Sequence, residues 1–325
     1  DITIENCCGQ RFIAAGMTDK NITINGVPGN ALGAYLNGST ITVNANAQDA
    51  VGDTMNEGQI FIHGNIGDAA GYAMRGGKIY VKGNAGYRAG IHMKEYKEKY
   101  VIATDNIEAV RYQAKEEIAI RRICEKNGYT SFITNFEDLY GLEQLPGLAV
   151  QNMMYDGYGF GAEGDWKISA MAAIMKAMAE GMSGGTAFME DYTYHLEKGN
   201  EHILGAHMLE VDPVIAANRP KIQVHPLGIG DRLPPARVVF DSKEGDAIVA
   251  TLIDMGGRMR LIVNDVKACN PLQAMPKLPV AGVMWKPEPS LAVSAEAWIL
   301  AGGAHHSVLS YDVTAEMLKD WAAMM

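Results

Sequence analysis

Glycine and isoleucine return every 19 residues through the first ninety positions of this 325-residue chain. Gly33, Gly52, Gly71 and Gly90 keep the step. So do Ile41, Ile60 and Ile79, then Val43, Ile62 and Val81, then Asn46, Asn65 and Asn84. Each unit closes on a short alternating segment: STITVNAN, GQIFIHGN, GKIYVKGN. Residues two apart on a strand point to one face, so the Ile and Val positions share an interior. A fixed period near 20 with one strand per unit predicts a β-solenoid whose strands stack coil on coil. Glycine supplies the left-handed backbone that the corners need. The period dictates architecture and says nothing of chemistry. No GxGxxG stands between a strand and a helix here, so no phosphate cradle is expected. His63 and His92 share no repeat position with a carboxylate and read as solvated surface residues.

The texture changes across the charged seam KEYKEKYVIATDN, residues 94–106. Residues 106–127 follow a helical period, with Ile107, Val110, Ala114, Ile118 and Ile123 as the apolar stripe and Gly128 as the stop. SFITNF reads as a short buried strand, and residues 165–182 as a second helix whose methionines are core. Beyond Gly184 the segments ARVVFDS, DAIVATLIDM and RMRLIVND alternate and are separated by turn residues, which suggests a small antiparallel barrel. A last helix, TAEMLKDWAAMM, starts at a cap near Asp312 and Thr314 and runs to the final residue without a stop signal, as in a chain cut short. The expected fold class is therefore mixed: a solenoid, an α/β part and a β-rich, barrel-like part.

The formal net charge of -10, with no Lys/Arg run, argues against nucleic acid or an anionic membrane as partner. No apolar stretch approaches the ~20 residues that span a bilayer, and the start at Asp1 carries no secretory pattern. Cys7, Cys8, Cys124 and Cys269 form no zinc-like spacing and read as free thiols of a reducing cytosol. The expected location is cytoplasmic.

Two long stretches carry family resemblances. VPGNALGAYLNG through GNAGYRAGIHMKEY is similar to the GXGXG β-helix of glutamate synthase large subunits and of a formylmethanofuran dehydrogenase subunit. That resemblance implies a mainly structural role. From about residue 106 to 325, NFEDLYGLEQLPGLAVQ, GYGFGAEGDWK, GGTAFMEDYTYHLEKGN, LGAHMLEV, KLPVAGVMWKP and AEAWILAGGAHH resemble L-arabinose isomerase. The implied domains are a GXGXG-type solenoid over 1–99, an α/β central isomerase domain over 100–185 and a β-rich C-terminal isomerase domain over 186–325.

Carried over position by position, Glu163, Glu190, His207 and His306 fall on the family's metal ligands. Carboxylates and imidazoles without thiolates suit Mn²⁺ or another divalent cation. No nucleotide or flavin is expected. The resemblance implies conversion of L-arabinose to L-ribulose through a metal-stabilised enediolate, with Glu163 and Glu190 as base and acid in either order. Phe136 aligns with an apolar wall of the sugar pocket. His305 is expected beside His306 as a substrate contact or a core residue, since adjacent strand residues face opposite ways. His195 and His202 read as surface or helix-end groups. A small sugar as substrate and a trimeric or hexameric homo-oligomer are the implied partners.

The family's first domain, Rossmann-like and contributing to the pocket wall, is missing from the text, and so are its final strands. A rival reading follows: a non-catalytic assembly module of the glutamate-synthase type carrying a degenerate isomerase remnant, or a composite of two proteins.

Overall fold

The structure, a computed structural model, describes residues 1–85, 91–229 and 231–325. It divides into two compact units, Asp1–Glu98 and Lys99–Met325. Gly90 lies outside the described residues, and so does the side chain of His92.

In the first unit, strands β1 (Ile2–Cys8), β2 (Asn21–Val27), β3 (Asn37–Val43), β4 (Glu57–Ile62) and β5 (Lys78–Val81) pair in parallel and in chain order. Ile22, Ile41, Ile60 and Ile79 stand on one another in successive coils. The asparagine step is a second ladder: the N–H of Asn65 donates to Asn46 Oδ1, and that of Asn84 to Asn65 Oδ1, both at 2.8 Å. The glycine step has two causes at Gly52. Its φ is +68°, and a Cβ there would stand 2.6 Å from Cδ1 of Ile79. The solenoid also begins earlier than the repeat shows. The register offset is 20 residues at Ile2↔Ile22 and 19 at Cys7↔Gly26, with the shift between Ile4 and Cys7. Asn6 takes up the extra residue at φ +55°, a bulge that hides the first coil from a fixed-period reading.

Helix α1 (Ile91–Lys99) crosses the division between the units. The second unit continues with β6 (Val101–Ile102), α2 (Ile107–Asn127), β7 (Ser131–Ile133), α3 (Gly147–Tyr155), β8 (Gly159–Gly161) and α4 (Trp166–Met178). Helix α2 starts where Asn106 Oδ1 accepts from the N–H of Ala109 and stops at Gly128, φ +68°. Its buried face differs from the expected stripe. Val110 and Ala114 are buried, but Ile123 is 57% exposed, while Gln113, Glu116 and Glu117 are buried. Two of these polar groups are satisfied: Gln113 donates to Gln144 and to the Leu145 carbonyl, and Asn152 on α3 donates to Glu117. Helix α4 begins after its cap Asp165 and ends at Met178, short of residue 182; Met171 and Met175 are core, as expected. Strand β7 is only partly buried, and among the described residues it pairs, in parallel, with β8 alone.

The remaining strands are β9 (Thr186–His195), β10 (His202–Ala206), β11 (Lys221–Val224), β12 (Ala236–Val239), β13 (Gly245–Asp254), β14 (Met259–Cys269), β15 (Gly282–Pro287) and β16 (His306–Ser310), with α5 (Leu291–Leu300) and α6 (Ala315–Met324). Six of them close an antiparallel barrel in the order β10-β15-β14-β13-β16-β9. The segment ARVV is not a barrel stave. As β12 it joins β11 and β6 in a separate three-stranded sheet. His195 and His202 are cross-strand neighbours rather than helix-end groups, and His202 is buried with Nδ1 2.7 Å from the Asn200 carbonyl. One face of the barrel wall packs on α4: Phe188, Ile248 and Val308 share a core with Phe160, Ile168 and Met171. That seam carries the candidate site.

Candidate metal centre

Three barrel positions meet at the edge of the seam. Glu190 on β9 stands opposite His306 at the start of β16 and opposite Ala206 at the end of β10. His207 follows Ala206 directly. Phe188, two residues before Glu190 and so on its face of the strand, sets its ring edge-on to both imidazoles, at 5.1 Å from His207 and 5.2 Å from His306. The fourth residue comes from the turn between β8 and α4. Glu163 lies there at φ +55°, an uncommon backbone state for a residue with a Cβ. The turn is held on both sides: the N–H of Gly164 donates to the Thr134 carbonyl and that of Asp165 to the Ala162 carbonyl. Strain imposed by anchored neighbours is what a site-forming turn shows.

Ligand atoms of Glu163, His207 and His306 all lie within 4.8 Å of one another. Glu190 is not in that group, though its carboxylate is near enough to raise the His207 pKa. The two imidazoles are buried, and their Nε2 atoms have no hydrogen-bond partner among the described residues. Their Nδ1 atoms are engaged by carboxylates: His207 with Glu210 at 2.6 Å, His306 with Asp165 at 3.3 Å. A carboxylate on one ring nitrogen fixes the tautomer that leaves the other nitrogen as a lone-pair donor. Two buried donor nitrogens left open beside a carboxylate fit a divalent cation, and the absence of sulfur suits the Mn²⁺ class.

The electrostatics agree. Burial works against a charge on His207, yet Glu210, Glu190 and Glu163 outweigh it and raise the pKa of the ring. Burial likewise opposes ionisation of Asp165. The hydrogen bonds from His306 and from the N–H of Ile168, with Lys167 nearby, overcome it and hold the carboxyl down at about 2. A field negative enough to favour protonated imidazole favours a metal ion in the same place.

Phe136 shares a cleft with Glu163, His207 and Glu210. The Glu163 side chain is 37% exposed, so solutes reach it while the histidines stay covered. His305 is exposed, with Nε2 3.6 Å from Glu163 Oε2, and it lines a second cavity with Asp191, Tyr194, Trp285 and Trp298. Asp165, Glu210 and Phe188 were not among the residues singled out by sequence. The spacing His207-x-x-Glu210 and the helix cap after Glu163 were the available signals.

The comparisons with known proteins cover both units. The L-arabinose isomerase central domain matches residues 85–181, and the L-arabinose isomerase C-terminal domain matches residues 185–325. The second unit resembles the central and C-terminal domains of L-arabinose isomerase. Residues 2–113 match the GXGXG motif. The L-arabinose isomerase of Halalkalibacterium halodurans is 58% identical over 236 residues, which are 71% of this chain and 47% of that protein. That of Geobacillus stearothermophilus is 58% identical over 238 residues, 71% of this chain and 48% of its own length. That of Thermotoga neapolitana is 54% identical over 232 residues, 71% and 47%. The chain spans about half the length of these curated relatives.

Proposed function

We propose that the second unit is the metal-bearing half of an aldose–ketose isomerase that converts L-arabinose to L-ribulose. The paired open Nε2 atoms of His207 and His306 beside Glu163 carry this reading. A divalent cation of the Mn²⁺ class, when bound, would supply the Lewis acidity that holds the neighbouring sugar oxygens O1 and O2 and favours loss of the proton on C2, next to the C1 carbonyl. His207 and His306 hold that cation, with Glu163 and Glu190 as its carboxylates. Glu163 is the better placed proton acceptor, because it alone of the group of three is exposed, while both histidines are buried. Glu190 then handles the hydroxyl proton. Phe136 gives the sugar an apolar side to lie against. Asp165 and Glu210 keep both imidazoles in the orientation the cation needs.

The domain boundaries we propose are 1–99, 100–185 and 186–325. The solenoid is a structural element, the assembled protein a homo-oligomer, and its compartment the cytoplasm; no helix among the described residues is long and apolar enough to cross a membrane. The match of residues 2–113 to the GXGXG motif supports a second reading, an assembly module with a non-catalytic isomerase remnant. One pair of measurements separates them. The first reading requires L-ribulose formation from L-arabinose that depends on added Mn²⁺, together with calorimetric Mn²⁺ binding that is lost in His306→Ala. Mn²⁺ binding without turnover supports the second. Equal Mn²⁺ binding by the wild type and His306→Ala refutes the site itself.

A further inference from the structure

The solenoid sheet turns its isoleucine and valine ladders inward, and the residues between them point outward. The pairing of β1 to β5 stacks those outward residues in three rows across the coils. The middle row is Thr3, Thr23, Thr42, Phe61 and Tyr80. Phe61 and Tyr80 stack with ring centroids 4.7 Å apart, and Tyr80 is 44% exposed. One flanking row runs from Asp1 through Asn21, Thr40 and Gln59 to Lys78. The other runs from Glu5 through Asn25, Asn44 and His63 to Lys82. Asn21 donates to Asp1 Oδ1 at 3.1 Å, Asn25 to Glu5 Oε1 at 2.8 Å and Asn44 to Asn25 Oδ1 at 2.7 Å, so these side chains are held in line on the surface. The face therefore carries carboxylates on β1, lysines on β5 and neutral residues between them. Glu5, Lys78 and Lys82 are exposed.

That pattern is complementary to itself. A two-fold axis parallel to the strands and lying over β3 sets β1 of one copy on β5 of another and β2 on β4. Glu5 then faces the partner's Lys82, and Asp1 faces the partner's Lys78. Each contact occurs twice, because a two-fold interface uses the same patch on both copies. In the middle, Thr23 meets the partner's Phe61 and Asn25 the partner's His63, so no like charges are opposed. Stacked sheets lie about 10 Å apart, a gap that Glu and Lys side chains bridge together. A surface of one sign would select a polyion. Opposite signs at the two ends of one uniform ladder select the ladder itself, turned end for end. We propose that this outward face of the solenoid is a docking surface for a second copy of this chain, packed about a two-fold axis over β3. The strands from β1 to β5 span only about 19 Å, so the patch is smaller than a standard interface and the dimer is weak and salt-sensitive. The proposal is independent of the isomerase reading, since every residue it uses lies in the first unit.

The test is sedimentation of the full 325-residue chain over a range of concentrations at low ionic strength. Self-association that weakens with added salt is expected. Glu5→Lys and Lys82→Glu each oppose like charges at both symmetry-related contacts, and each should weaken association at least tenfold. An equimolar mixture of the two variants should recover it, because every contact in the mixed dimer pairs opposite charges again. A fold damaged by either substitution could not produce that recovery. Arg11→Glu, an equal change of charge at an exposed position beyond the end of β1, should leave association unchanged. A wild type that stays monomeric overturns the proposal. Single variants that associate as the wild type does overturn it too, because assembly then runs through another surface. A mixture that associates no better than either variant alone refutes the two-fold arrangement and with it the proposal. Calorimetric Mn²⁺ binding by each variant should equal that of the wild type, so failure here is distinct from failure of the isomerase reading.

Discussion

Removing the titratable carboxyl at Glu116 should make the stability of the second unit less sensitive to alkali. Neither oxygen of this side chain has a partner among the described residues, and burial alone pushes its pKa from 4.5 up to about 9. The folded protein therefore keeps the acid protonated at pH 7, while the unfolded chain ionises it above 4.5. Between those values the folded state holds one more proton than the unfolded state. The stability contributed by the protonated acid is fully present below pH 4.5 and is lost as pH rises toward about 9. The slope is about 1.4 kcal/mol per pH unit, so about 4 kcal/mol disappears between pH 5 and pH 8. Glu116→Gln keeps the shape and a neutral polar head but cannot titrate. All four tryptophans, Trp166, Trp285, Trp298 and Trp321, lie in the second unit, so their fluorescence in a urea titration reports that unit alone. Other titrating groups cancel in the difference between the two proteins. The wild type minus variant stability should fall steadily from pH 5 to 8. A difference that stays flat over that range would refute the argument, because it requires Glu116 to ionise alike in both states.

Glu163→Gln should abolish sugar turnover, by at least a hundredfold, while circular dichroism stays unchanged, since the side chain is partly exposed and supports no core. Asp165→Asn and Glu210→Gln should each lower Mn²⁺ affinity about 10- to 100-fold in calorimetry by releasing one imidazole; unchanged affinity would deny them that role. Gly52→Ala should destabilise the solenoid by about 2–4 kcal/mol through its positive φ and the clash with Ile79, read by limited proteolysis. Because the two units are separately compact, the tryptophan-reported midpoint should not move in that variant. A shift of that midpoint would show that the units fold as one.

The sequence by itself determined the parts that depend on period and on local chemistry. A 19-residue step of glycine, isoleucine and asparagine leaves one solution, because each coil must place the same side chain above the last. The caps Asn106 and Asp165 and the stop at Gly128 set helix ends through backbone angles and side-chain hydrogen bonds that need no distant partner. The candidate metal-site residues were legible only through resemblance, since Glu163, His207 and His306 are far apart in the chain and no spacing rule links them. The tertiary structure decided the rest. Closure of the barrel set Glu190 opposite His306 and sent β12 to a different sheet, because register depends on which edges remain to be paired. Packing of α3 against α2 buried Gln113 and Glu117 and left Ile123 outside, against the apolar stripe. Asp165 and Glu210 gained their roles the same way. A carboxylate becomes a partner of an imidazole only when folding brings Asp165, the cap of α4, to His306 on the barrel wall, 141 residues away.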